Sequence, residues 1–171
     1  MNNSTKTSKI TLYGIFAALA MILSYVELQI PAFFAVPGMK LGLTNIVVVV
    51  ALYVLGEKSA FFINLIRILV VSLLFGTVMS LWFSLAGGIL STLIMILLKR
   101  CNKFSPVGVS AAGGITHNIG QIIVAMLMLN TGFIIWYLPI LWITGVVSGV
   151  LIGIIGGIVY KRLSHNHDEF L

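Results

Sequence analysis

The sequence predicts an all-α membrane protein, a bundle of six transmembrane helices with both termini cytoplasmic, and three observations carry that expectation. Of 171 residues, 60% are hydrophobic and only 8% charged, where a soluble domain carries roughly a quarter charged residues. The mean hydropathy is +1.15. Apolar runs long enough to cross a bilayer follow one another along the whole chain, and basic residues collect in the gaps between them. Nothing is left over for a soluble appendage, so residues 1–171 read as a single integral membrane domain, multi-pass in the cell membrane.

The spans are expected at about 9–27, 41–56, 59–77, 79–98, 108–129 and 138–160. The first follows a polar, basic start and runs on through "MILSYV" without a polar break, so it reads as an uncleaved span and Ala18-Leu19-Ala20 as no cleavage site. The second is short, and the segment before it, "ELQIPAFFAVPGMK", cannot be regular helix because of Pro31 and Pro37; it is expected to fold over the outer mouth. With the N-terminus inside, Lys6, Lys9, Lys58, Lys99, Arg100, Lys103, Lys161 and Arg162 all fall on the cytoplasmic side and Lys40 alone on the outer side. That asymmetry fixes the orientation. The basic balance of +6 therefore reports topology and predicts no nucleic-acid partner. The single cysteine, Cys101, permits no intramolecular disulfide.

Helices in lipid associate where small residues let backbones approach. The last span carries Gly145, Gly149, Gly153 and Gly157 on one stripe, which predicts a tight helix seam, and Ser84, Gly88 and Thr92 repeat the pattern more weakly in the fourth. In the first span Gly14 and Ala18, with Ala17 alongside, form a similar pair that suits an internal contact or a partner protein equally well.

An ionisable side chain at the bilayer centre costs about 2.5–3.5 kcal/mol on insertion scales, so such residues face an interior and point to function. Arg67 and His117 each lie about nine residues, or about 13 Å, into an outward-running span and are expected in one layer. Gln121 shares the face of His117, while Asn118 is turned by about 100°. Interhelical hydrogen bonding is the alternative to a ligand site for these amides and the imidazole. Glu27, Asn45 and Trp82 lie in the outer half, and Lys40, Trp136 and Tyr137 at the outer rim. The candidate ligand site is thus Arg67, His117, Asn118, Gln121, Asn45 and Glu27.

Several chemistries are missing. Gly56-Glu57-Lys58-Ser59 lacks the spacing of a phosphate-cradling loop, so no ATP hydrolysis is expected. The chain has only four acids, Glu27, Glu57, Asp168 and Glu169, and no aspartate cluster to hold Mg²⁺ against a diphosphate. No Ser/His/Asp set and no zinc spacing is present, and His165 and His167 are expected in a flexible tail. The expectation is a protein that is no enzyme and carries no cofactor or metal.

The segments "PGMKLGLTNIVVVVALYVLG", Arg67 followed by "LLFGT", "LAGG" with a closing "KR", and "GGITHNIGQ" together resemble the Gx transporter family. That family also goes by the description heptaprenyl diphosphate synthase component I, and it is similar to the substrate-binding S components of energy-coupling factor (ECF) transporters. The resemblance implies an S-component-like bundle that captures a vitamin-like or lipophilic small molecule from outside. It further implies docking on a transmembrane T component driven by two cytoplasmic ATPases. In S components an Ala-xxx-Ala motif on the first helix meets the T component, and Gly14 and Ala18 stand at the matching positions. Two other readings stay open: a non-catalytic accessory subunit tied to prenyl diphosphate or menaquinone synthesis or to flavin- or quinone-based electron transfer, and an independent secondary transporter. Six spans with one candidate carboxylate and no evident internal repeat disfavour the last.

Overall fold

The computed structural model describes residues 3–29 and 42–168. They form six helices: α1 (Asn3–Gln29), α2 (Leu43–Val54), α3 (Glu57–Phe75), α4 (Val78–Arg100), α5 (Pro106–Leu129) and α6 (Leu138–Asp168), with a 3-10 turn over Phe133–Tyr137 ahead of α6. The proline-bearing segment expected over the outer mouth, with Lys40, lies outside the described residues.

Local chemistry sets the helix ends. Thr77 caps α4 in a reciprocal box with Ser80, each side chain bonded to the other's backbone N–H. Ser105 caps α5 through Gly108 N, and Pro106 fills the first turn, where a missing N–H costs nothing. Asn130 closes α5 in the left-handed conformation (φ 46°), and Gly42 and Gly56 take positive φ at the two ends of α2.

Five helices are long and apolar enough to cross a membrane. The exception corrects the sequence expectation at its weakest point. The second span, placed at 41–56, is a helix of only 12 residues. At 1.5 Å per residue it is about 18 Å long, roughly 12 Å short of a hydrocarbon core. Its consecutive residues Val47 to Leu52 are all buried, as expected of a helix that is apolar all round and enclosed by others. The last helix exceeds its expected end at 160, and its backbone stays helical through Asp168 where a flexible tail carrying His165 and His167 was expected.

The helices close into a ring in the order α1, α3, α4, α5, α6, α2, with α2 also against α3. The core lies around α2, where Val48, Val49 and Leu52 pack with Phe16, Ala20, Ile63, Met95, Val109 and Ile152 from the helices around it. The outward faces are apolar too, with Leu73, Phe133 and Trp136 mostly exposed, as suits a protein solvated by lipid.

The glycine stripe of α6 is a seam against α5. A Cβ on Gly149 would stand 2.7 Å from Ala111 Cα, and one on Gly153 2.7 Å from Val107 Cα. Gly145 faces Gly114 in the same way. At Gly157 the seam has opened, since its Cβ would meet only Pro106, at 3.9 Å. On α4 the weaker stripe also packs inward: Gly88 faces Ile68 and Asn64 of α3, and its neighbour Gly87 faces His117 of α5.

Candidate functional site

Short helix α2 carries a charge at each end. Glu27, the last turn of α1, accepts a hydrogen bond from Gly42 N at the start of α2. At the other end Lys99 Nζ donates to Leu52 O at 2.5 Å and lies 5.2 Å from the Tyr53 ring centroid. An anion at a helix N-terminus and a cation at its C-terminus both oppose the macrodipole favourably. Beyond Lys99, Arg100 pairs with Glu57 at 2.5 Å on the exposed basic end of the bundle.

From Glu27 a chain of buried polar side chains crosses four helices. Thr44 Oγ1 donates to Glu27 Oε2 at 3.3 Å, and Ser24 Oγ lies 2.8 Å from Thr44 Oγ1. Arg67 Nη1 donates to Ser24 Oγ at 3.3 Å, while its Nε and Nη2 both donate to Asn64 Oδ1, at 2.9 and 2.7 Å. Asn64 turns its own amide to α4, donating to Thr92 Oγ1 at 2.8 Å and to Gly88 O at 3.1 Å. Glu27 and Arg67 are each only 8% exposed, so opposite charges stand at two ends of one hydroxyl bridge inside the bundle. These contacts engage three of the five guanidinium donors.

The other candidates lie on α5. Asn118 is buried and faces α6, where its Nδ2 donates to Leu141 O at 2.6 Å. That contact ties α5 to α6 beside the glycine seam. His117 lies against Gly87 of α4, and its Nδ1 is buried there. Gln121 is buried one turn further along, about 40° round the helix from His117. His117 is therefore directed at α4, whereas Asn118 is directed into the α5–α6 contact.

Arg67 and His117 flank α4 from different sides. Their helices meet α4 at the consecutive residues Gly88 and Gly87, so Asn64 and His117 share a level, but α4 stands between them. Asn45 is half-buried in the first turn of α2, beside Gly42. Trp82 is exposed on α4.

Sequence reasoning missed Ser24, Thr44, Asn64 and the role of Thr92. Asn64 lies three residues before Arg67, on the same helix face as the charge it serves. That spacing was the available signal. In α1, Gly14 and Ala18 are exposed and Ala17 half-buried, and a Cβ on Gly14 would have nothing within 4 Å, so the small pair takes no part in internal packing. Among the described residues no three His, Cys, Asp or Glu side chains are grouped to hold a metal ion.

A lipid-solvated helical bundle with charge gathered inside it at the end of a half-length helix defines a polytopic membrane protein with an internal polar site. The family model for heptaprenyl diphosphate synthase component I matches residues 16–159, and the chain belongs to that family. No curated protein matches it, and no solved structure does.

Proposed function

We propose that this chain is the membrane-embedded substrate-binding component of an ECF-type uptake transporter, itself non-catalytic, for a vitamin-like or lipophilic small molecule. One observation carries the reading: the buried chain Glu27–Thr44–Ser24–Arg67–Asn64–Thr92 runs into the bundle from the N-terminal end of α2. Packing alone does not call for a permanently charged guanidinium in lipid, and a planar fork of donors suits a carboxylate, a phosphate or a polarised carbonyl. His117, Gln121 and Asn45 supply further polar groups around the interior. The positive-inside count places this end of α2 toward the outside, so the ligand enters from there.

The energy for uptake comes from a transmembrane T component and two cytoplasmic ATPases. Gly14, Ala17 and Ala18 are the docking surface, supported by the bare, outward-facing backbone at Gly14. Prenyl transfer on the chain itself is disfavoured by its carboxylates, since Glu27 and Glu57 stand at opposite ends of α2, each engaged by its own partner.

The family's description favours a second reading, a non-catalytic accessory subunit of a prenyl diphosphate- or quinone-forming enzyme. Co-purification of the tagged full-length chain from its native membrane separates the two. The transporter reading expects two ATPases bearing phosphate-cradling GxxxxGK[ST] loops, lost in Gly14→Leu/Ala18→Leu. Stoichiometric recovery of a soluble prenyl-transferring subunit, unaffected by that double change, overturns it.

A further inference from the structure

Away from the internal site, the basic end of the bundle carries a lateral groove between α3 and α4. Its walls are Phe61 and Phe62 of α3 and Leu93, Ile96 and Leu97 of α4; its rim is Glu57, Lys58 and Arg100. Phe62, Leu93 and Leu97 are half or more exposed, so the groove opens to the side, onto the hydrocarbon, and not into the bundle. We propose that this groove is a binding site for an anionic phospholipid, with one acyl chain lying along Phe62, Leu93 and Leu97 and the phosphate at Lys58 and Arg100.

Three features support that occupant. The wall is apolar over the length that lies in hydrocarbon, and aromatic rings at Phe61 and Phe62 offer a flat, rigid surface to a chain. The charges sit only at the end of the groove, where the headgroup layer begins, and basic pockets of this kind between transmembrane helices take anionic headgroups. Glu57 engages the Arg100 guanidinium at both carboxylate oxygens, from Nε and Nη2, and so fixes its plane at the rim. Lys58, exposed next to that pair, contributes a cation that the Glu57 charge is not directed at, and Lys103 is exposed just beyond the end of α4. The result is a net positive rim on an apolar trough, complementary to a phosphate on a hydrocarbon chain.

Native mass spectrometry of the intact, full-length protein tests this, with phosphatidylglycerol and phosphatidylcholine of identical acyl chains titrated in equal amounts. A basic residue at a membrane surface is worth about a fivefold change in binding to anionic lipid. The wild type is therefore expected to retain phosphatidylglycerol at least about fivefold over phosphatidylcholine. Lys58→Gln, an exposed change that leaves the Glu57–Arg100 pair intact, is expected to cut that preference about fivefold. Lys161→Gln, which removes an exposed charge from α6 at the same end of the bundle, is expected to leave it unchanged. Equal retention of the two lipids overturns the proposal, as does an equal loss in Lys58→Gln and Lys161→Gln, which would show diffuse attraction in place of a site. Phe62→Ala adds a second arm: it should lower retention of both lipids together, and unaltered retention places the acyl chain elsewhere. None of these variants touches the internal polar chain, so failure here leaves the proposed transport function standing.

Discussion

The two sides of the bundle are held by different means. Between α5 and α6 the contact is made of backbone: Gly114, Gly145, Gly149 and Gly153 let the helices touch, and Asn118 adds a single side-chain bond to Leu141 O. Between α1, α2, α3 and α4 an apolar core is joined by charge and hydroxyls, in a chain running from Glu27 to Thr92. Lipid supplies no hydrophobic drive between helices, so close van der Waals approach is sufficient to hold them, as α5 and α6 demonstrate. The polar side therefore contains more than assembly requires, and that surplus is what points to a ligand.

If shape alone holds the seam, filling it should do the greatest damage. Gly149→Leu forces a side chain into Ala111 and Ser110 backbone and is expected to cost more than about 4 kcal/mol. Size-exclusion chromatography in detergent should recover little monodisperse protein, and a normal yield would mean that α6 is free to move off α5. On the other side, Asn64→Leu removes the acceptor for two Arg67 donors and the bonds to Thr92 and Gly88, for about 3 kcal/mol. The bundle should survive with a lowered midpoint of thermal unfolding but lose its ligand; full ligand retention would reduce the polar chain to glue. Asn118→Ala gives up one interhelical bond, for about 0.6–1 kcal/mol. It should change stability slightly and ligand retention very little, while a complete loss of ligand would move the site to α5. Gly157→Ala, where the seam has opened, should change the unfolding midpoint by no more than about 0.5 kcal/mol in equivalent stability.

Much of this architecture was legible in the sequence because lipid makes strong demands. Apolar run length gave five of the spans, and periodic glycines gave the α6 seam, since close approach needs them wherever the partner lies. The second span differs in length alone, because apolar composition does not fix where a helix begins and ends: α2 has 12 residues and is buried along Val47 to Leu52. Burial of Arg67, Glu27, Asn118 and Gln121 followed from the cost of leaving them in lipid. Their partners did not, because one sequence gives the face of a helix and not the helix it faces. Depth alone set Arg67 and His117 in one layer, whereas it is Asn64, a turn before Arg67, that meets α4 beside His117, and only the helix order reveals that α4 stands between them. Asn64 was readable from its i, i+3 relation to Arg67, whereas Ser24 and Thr44 look like ordinary small residues until α1, α2 and α3 are assembled.

The central claim is that the Arg67 chain is part of a ligand site. It is tested most directly by mass spectrometry of small molecules extracted from the purified, detergent-solubilised protein, comparing wild type with Arg67→Gln and with Gly157→Ala as the control. The account predicts one compound bearing an anionic or strongly polarised oxygen, enriched in wild type and control and lost in Arg67→Gln. The same compound at equal abundance in all three, or no enriched compound in any of them, would contradict it.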